Sequence, residues 1–169
     1  MLAVQNSLPL TDFHLRFIVH QHQATRLHYD LRMEFGSILF NLVLPKGPSV
    51  NPRIHRLAIQ THDHAKSCLK FEGRIQSGRY GAGPLLAWDL GLYAPRCPVH
   101  LSHEEAIRRG LTRGRLGLTF KGTKLIGDWT LKRFHENWLF TKDFDGFASD
   151  EDILRFDRSV FSNRKLSDL

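Results

Sequence analysis

The chain has 169 residues, enough for one ordinary domain and too few for two. Hydrophobic residues make up 41% and charged residues 24%, which excludes a disordered chain, and no apolar run approaches the roughly 20 residues that cross a bilayer. The balance of 24 basic against 17 acidic residues, a net charge of +7, points to a polyanionic partner, nucleic acid ahead of an anionic membrane.

In chain order, the segment MLAVQNSLPLTDF has no basic start followed by an apolar stretch, so no signal peptide is expected, and residues 1–14 read as an N-terminal extension. Only two cysteines occur, Cys68 and Cys97, without CxxC spacing, and a reducing, cytoplasmic setting follows as the expectation. Short runs rich in apolar, β-branched and aromatic residues predict strands over 15–21, 27–35, 37–44, 56–61, 70–75, 84–91, 114–121, 124–133 and 136–142. Gly36-Ser37 and Gly122-Thr123 suit hairpin connections, and Pro45-Lys46-Gly47-Pro48 forms a rigid loop. Gly91-Leu92-Tyr93-Ala94-Pro95 reads as a strand leaving the sheet. One helix is signalled by Ser102 with Glu105 three residues on, and Gly110 is placed for its C-terminal cap. Trp88, Trp129 and Trp138 sit in strand patterns as core aromatics, and residues 149–169 form a charged tail with room for a short helix.

Nine strands and one clear helix predict a mainly β, antiparallel barrel over residues 15–148, closed or partly open, with one or two short helices. One end of such a barrel's lumen is the expected place for a site.

The strand LHYDLRMEF carries the most chemistry. Alternation puts His28, Asp30, Arg32 and Glu34 on one face and Leu27, Tyr29, Leu31, Met33 and Phe35 on the other. His20 and His22 lie just upstream, and His22 reaches the same face if the chain reverses over 23–26. His22, His28 and Asp30 then make a three-ligand set that suits Mn, Zn, Co or Fe and leaves coordination positions open. A non-haem iron oxygenase also uses two histidines and a carboxylate, but there the additional histidine follows the His-x-acid pair, and here it precedes.

Arg32 follows Asp30 on the same face, and its fork can take two phosphate oxygens. Arg56 opens RLAIQT, which leads into His62-Asp63-His64, where a histidine can pass a proton to a leaving oxygen. Lys46 is a cation held between two prolines. The stretch Gly78-Arg79-Tyr80-Gly81-Ala82-Gly83 lacks the Gly-Lys-Ser/Thr of a P-loop and reads as a tight connecting loop.

The blocks RFIVHQHQATRLHYDLRMEF, LPKGPS, RLAIQTHDH, FEGRIQSGRYGAG and WDLG, in that order, resemble the 3′-phosphoesterase domain of bacterial DNA ligase D and its stand-alone relatives. The resemblance is fainter through GRLGLTFKGTKLIGDWTL and ENWLFTKD. It implies a β-barrel and a Mn²⁺-dependent enzyme, with Zn²⁺ or Co²⁺ as substitutes. Such an enzyme would remove a terminal ribonucleoside and then a 3′-phosphate from DNA or RNA-containing primer–template ends. It also implies metal ligands at His22, His28 and Asp30, phosphate contacts at Arg32, His64, Arg56 and Lys46, a DNA ligase or Ku-type end-binding protein as partner, and a monomer. Two positions depart from the family pattern: an acidic residue before Asp-His is here His62, and an aromatic hydroxyl four residues after His64 is here Cys68. These changes single out 3′-phosphate removal as the more impaired step. The alternative from another class is a non-catalytic DNA-end-binding module.

Overall fold

The strand over 27–35 is buried on both faces although its sequence alternates apolar with polar, and the strands on either side of it are buried along most of their length as well. The computed structural model, which describes residues 13–98 and 100–169, explains this by covering the barrel's outer wall. Most of the expected extension at 1–14, residues 1–12, lies outside the described residues.

The strands are β1 (Leu15–Gln23), β2 (Leu27–Phe35), β3 (Ile38–Leu44), β4 (Arg56–Gln60), β5 (Gly73–Ile75), β6 (Gly83–Pro95), β7 (Arg115–Gly122), β8 (Ile126–Phe134) and β9 (Asn137–Lys142). All pair antiparallel in the order β1-β2-β3-β4-β9-β8-β7-β6-β5, and an additional β1–β6 pairing closes eight of them into a barrel. Closure leaves β1 and β6 no open edge. The ninth strand, β5, extends from the end of β6.

The lumen is filled by Phe17, Val19, Leu31, Leu42, Leu86, Phe120, Phe140 and the three tryptophans, all fully or almost fully buried. Trp129 stacks on Phe140, with ring centroids 4.6 Å apart. Trp88 and Tyr93, five residues apart on β6, both join this cluster, which strict alternation would forbid. A bulge resolves the conflict: Val19 pairs with Asp89 and His20 with Ala87, so Trp88 is the unmatched residue and the facing flips there. The segment expected to leave the sheet stays in it, because Gly91–Pro95 pairs with Gly122–Leu118 of β7 while Tyr93 and Ala94 bury their side chains.

The helix α1 (His103–Arg113) starts as expected, with the Ser102 hydroxyl accepting from the Glu105 N–H at 3.2 Å. Its end is one turn later than predicted. Gly110 is buried against Leu116, and Gly114, at φ 79°, takes the left-handed cap. The rule that a glycine ends a helix holds, but packing decides which glycine. No helix among the described residues is long and apolar enough to cross a membrane.

Residues 149–169 lie packed along the barrel, not frayed in solvent. Ile153 enters the core, the Trp88 indole donates to the Phe156 carbonyl at 2.8 Å, and the Val160 N–H donates to the Ala87 carbonyl at 2.8 Å. The Ser159 and Ser162 hydroxyls both donate to the Glu72 carboxylate, tying this strap to the segment that covers the outer face of β1 and β2.

Candidate metal centre and anion cleft

The polar row of β2 faces outward, so the site sits on the outer wall of the barrel and not at the end of its lumen. The physical reason is economy of burial. Tyr29, Leu31 and Met33 enter the central core, and the opposite face is then available to polar groups under a separate cover. That cover is residues 61–82, including a 3₁₀ turn at Lys66–Lys70 whose Leu69 packs on Ile18, Leu39 and Ala87.

The β1–β2 hairpin places His22 directly across from His28 and His20 directly across from Asp30. The two rings of the first pair lie 4.8 Å apart. Ligand atoms of His22, His28 and Asp30 all fall within 4.8 Å of one another, and His22 Nδ1 and His28 Nε2 each stand 3.4 Å from Asp30 Oδ2. Backbone carbonyls fix which nitrogen faces inward. The His22 Nε2–H donates to the Gly81 carbonyl at 2.7 Å, and the His28 Nδ1–H donates to the Arg26 carbonyl at 2.9 Å. The neutral ring then directs its lone pair at Asp30, the arrangement in which histidine ligates a cation. These donors fit a divalent metal. Without one, Asp30 holds the His28 pKa above its ordinary value. Burial would raise the Asp30 carboxyl, but His22, His28 and Arg32 outweigh it and keep it well below the usual carboxylate range.

His20, fully buried, is not a fourth ligand. Its Nε2–H donates to the Phe71 carbonyl at 2.8 Å, which leaves Nδ1 to accept from Arg32 Nη1 at 3.0 Å. Burial first and Arg32 second push its pKa down to about 3, so it is a neutral acceptor. Arg32 also donates through Nε to Asn41 Oδ1 at 3.2 Å and through Nη2 to Asp30 at 3.5 Å, and Asn41 in turn donates to the Thr61 hydroxyl at 2.5 Å. Three of the five guanidinium N–H groups are thus engaged and two are left over.

His22, His28, Asp30, Arg32 and His64 all line one cleft of about 550 Å³, together with Asn41, Thr61, His62 and Tyr80. His64 bridges to Leu39 of β3, and its Nδ1–H donates to the His62 carbonyl at 3.0 Å. Burial and the neighbouring Arg32 lower its pKa, so the free cleft holds it neutral. Lys46 is exposed in its loop, Arg56 sits half-buried opposite Phe140, and neither lines the cleft.

Sequence reasoning missed Asn41, Tyr80 and Gly81. Asn41 was within reach, because the hairpin at Gly36-Ser37 sets Arg32 opposite Asn41. Gly81 had no local signal. It requires glycine twice over, having a φ of 72° and a Cβ position 3.3 Å from the His22 ring.

An eight-strand closed antiparallel barrel thus carries a candidate metal centre of two histidines and one aspartate, beside a buried arginine, on its outer wall. The family model described as the DNA Ligase D 3'-phosphoesterase domain matches residues 20–133, and the chain belongs to that family. Similar proteins include the multifunctional non-homologous end joining protein LigD of Pseudomonas aeruginosa, 39% identical over 163 residues that cover 90% of this chain and 18% of that protein. The LigD of Mycolicibacterium smegmatis is 34% identical over 80% of the chain, and that of Mycobacterium tuberculosis 39% over 86%. The chain thus spans less than a fifth of the length of these relatives.

Proposed function

We propose that the chain is a divalent-metal-dependent phosphoesterase that trims nucleic-acid 3′ ends before strand joining, working beside a DNA ligase or a Ku-type end-binding protein. The observation that carries this reading is the convergence of His22, His28 and Asp30, with ring lone pairs turned inward, on a cleft that also presents Arg32 and His64. His22, His28 and Asp30 would hold a Mn²⁺ ion, with Zn²⁺ or Co²⁺ as substitutes, which would supply Lewis-acid polarisation of a phosphoryl oxygen.

The chain's own groups do the rest. Arg32, fixed by His20 and Asn41, aims its remaining N–H groups at the phosphoryl oxygens and offsets charge as it develops there. His64 is neutral in the free cleft, and an arriving phosphate anion favours its protonated form. From there it gives a proton to the leaving oxygen, the 5′-oxygen of a terminal ribonucleoside or the 3′-oxygen under a terminal phosphate, as water adds to phosphorus, loses a proton to solvent and the P–O bond to that oxygen breaks. Lys46 and Arg56, outside the cleft, bind flanking phosphates of the strand.

The test is incubation of the pure protein with Mn²⁺ and a labelled primer–template ending in one ribonucleotide or in a 3′-phosphate. Shortening of the first or dephosphorylation of the second supports the reading. Binding without turnover in Mn²⁺, Zn²⁺ or Co²⁺ overturns it in favour of an end-binding module, and oxygen consumption with Fe²⁺ overturns it in favour of an oxygenase.

A further inference from the structure

The cleft has an aromatic wall of which the phosphoryl chemistry uses only the innermost ring, His64. His64 and His62 stack with ring centroids 4.6 Å apart and planes 22° from parallel, and the Tyr80 ring follows at 5.9 Å from His62. Exposure rises along this row, from the half-buried His64 beside Arg32 to the exposed His62 and then to Tyr80, which is 88% exposed. An aromatic ring left that far in water contributes little to folding. Its loop is nevertheless held firmly. Gly78 and Gly81 both take positive φ, the Ala82 N–H closes on the Arg79 carbonyl at 3.1 Å, and the Gly81 carbonyl is fixed by His22 at 2.7 Å. The residue next to Tyr80 is therefore tied directly to the candidate metal centre.

We infer that Tyr80 is a binding residue, the stacking surface for the nucleobase of the nucleoside whose 3′-oxygen carries the reacting phosphate. The site needs such a surface because phosphate contacts alone hold the charge and leave the sugar free to rotate. Tyr80, one ring outward from His62 and two from His64, lines the same cleft as Arg32 and offers its face to the base of a nucleoside whose phosphate lies there. Every base has a π-face, so the contact tolerates any sequence. His62, which stands where the family pattern has an acidic residue, supports this wall with an aromatic ring where a carboxylate would repel the phosphate. The inference rests on the phosphoesterase reading only for the nucleic-acid identity of the ligand.

The experiment compares wild type, Tyr80→Phe and Tyr80→Ala on two short 3′-phosphorylated single strands of equal charge, one ending in a normal nucleotide and one in an abasic residue. Affinity is read by fluorescence anisotropy in EDTA, where no turnover intrudes, and KM and kcat are read in Mn²⁺. The expected result is that Tyr80→Ala weakens binding and raises KM about 5- to 140-fold for the base-bearing end, leaves the abasic end unchanged, and alters kcat little. Tyr80→Phe should behave as wild type. Equal losses on both ends, or no loss on either, overturn the inference. A protein that turns over neither substrate yet shows the base-selective loss by anisotropy keeps the stacking site and fails only the phosphoesterase reading.

Discussion

Two polar clusters on opposite walls of the barrel show how a site differs from a structural network. On the β7–β9 wall, the Arg96 guanidinium donates to Asp143 at 2.6 Å and to the Leu118 carbonyl at 2.9 Å, while the Thr119 and Thr130 hydroxyls donate to Asp128 and Asp143. Lys142, its side chain fully buried, donates to Asp145 at 2.6 Å and to the Asp128 carbonyl at 2.8 Å. Acids there are met by cations, hydroxyls and N–H groups, and the hydrogen-bonding capacity is spent internally. On the β1–β3 wall, His22 and His28 each spend an N–H on a carbonyl and turn a lone pair toward Asp30, His20 turns its own to Arg32, and Arg32 keeps spare donors. The first cluster is closed and holds the sheet together. The second is left open toward a cation and an anion.

The comparison breaks most clearly at Asp30. Asp30→Asn should reduce turnover in Mn²⁺ to background, while far-UV circular dichroism stays that of the folded barrel, because β2 packs through Tyr29, Leu31 and Met33. Wild-type turnover in this variant would show that Asp30 holds no metal. The counterpart on the closed wall is Lys142→Met. Removing one partner of a fully buried ion pair costs about 3–5 kcal/mol. Asp145 is partly exposed and keeps the Asp128 and Phe147 N–H donors, so urea unfolding should reveal a loss below that range, with single-turnover rates unchanged in the folded protein.

Next in size are Arg32→Ala and His64→Ala. Neither residue belongs to the candidate ligand set, so Mn²⁺ binding by calorimetry should persist while single-turnover rates fall about 10²- to 10⁴-fold. In the unsubstituted chain the single-turnover rate should be lower on a 3′-phosphate end than on a 3′-ribonucleotide end, given the departures at His62 and Cys68.

The Glu72 tether offers a gentler test. Burial would raise its carboxyl, but hydrogen bonds from Ser159, Ser162 and the Ala87 N–H outweigh this and set its pKa below the ordinary 4.5. A group whose pKa is lowered by folding contributes stability above its unfolded pKa and loses it as pH falls through the folded one. Melting temperature should therefore decline as pH drops below about 4.5, and Glu72→Gln should flatten that decline. An unchanged acid profile in the variant would remove Glu72 from the account. The smallest effect belongs to the cap of α1, whose hydroxyl bonds only within its own first turn: Ser102→Ala should cost about 1 kcal/mol, a shift of roughly 2–4 °C, without any change in activity.

What the sequence determined by itself was whatever period and punctuation encode locally. Alternation in LHYDLRMEF separated Tyr29, Leu31 and Met33 from His28, Asp30 and Arg32 before any fold was known, because successive side chains on a strand must point to opposite faces. Turn residues gave nearly every strand, and Ser102 gave the start of α1. Tertiary structure alone decided that the polar face lies outside the barrel, since alternation says which residues share a face and not what covers it. It decided the extra residue at Trp88, the choice of Gly114 over Gly110, and the carbonyls of Gly81, Arg26 and Phe71 that orient the histidine rings. A backbone carbonyl is the same group at every position and leaves no mark in the sequence. Only its place in the folded chain makes it a partner for one ring nitrogen, and that is how a row of polar residues becomes a site.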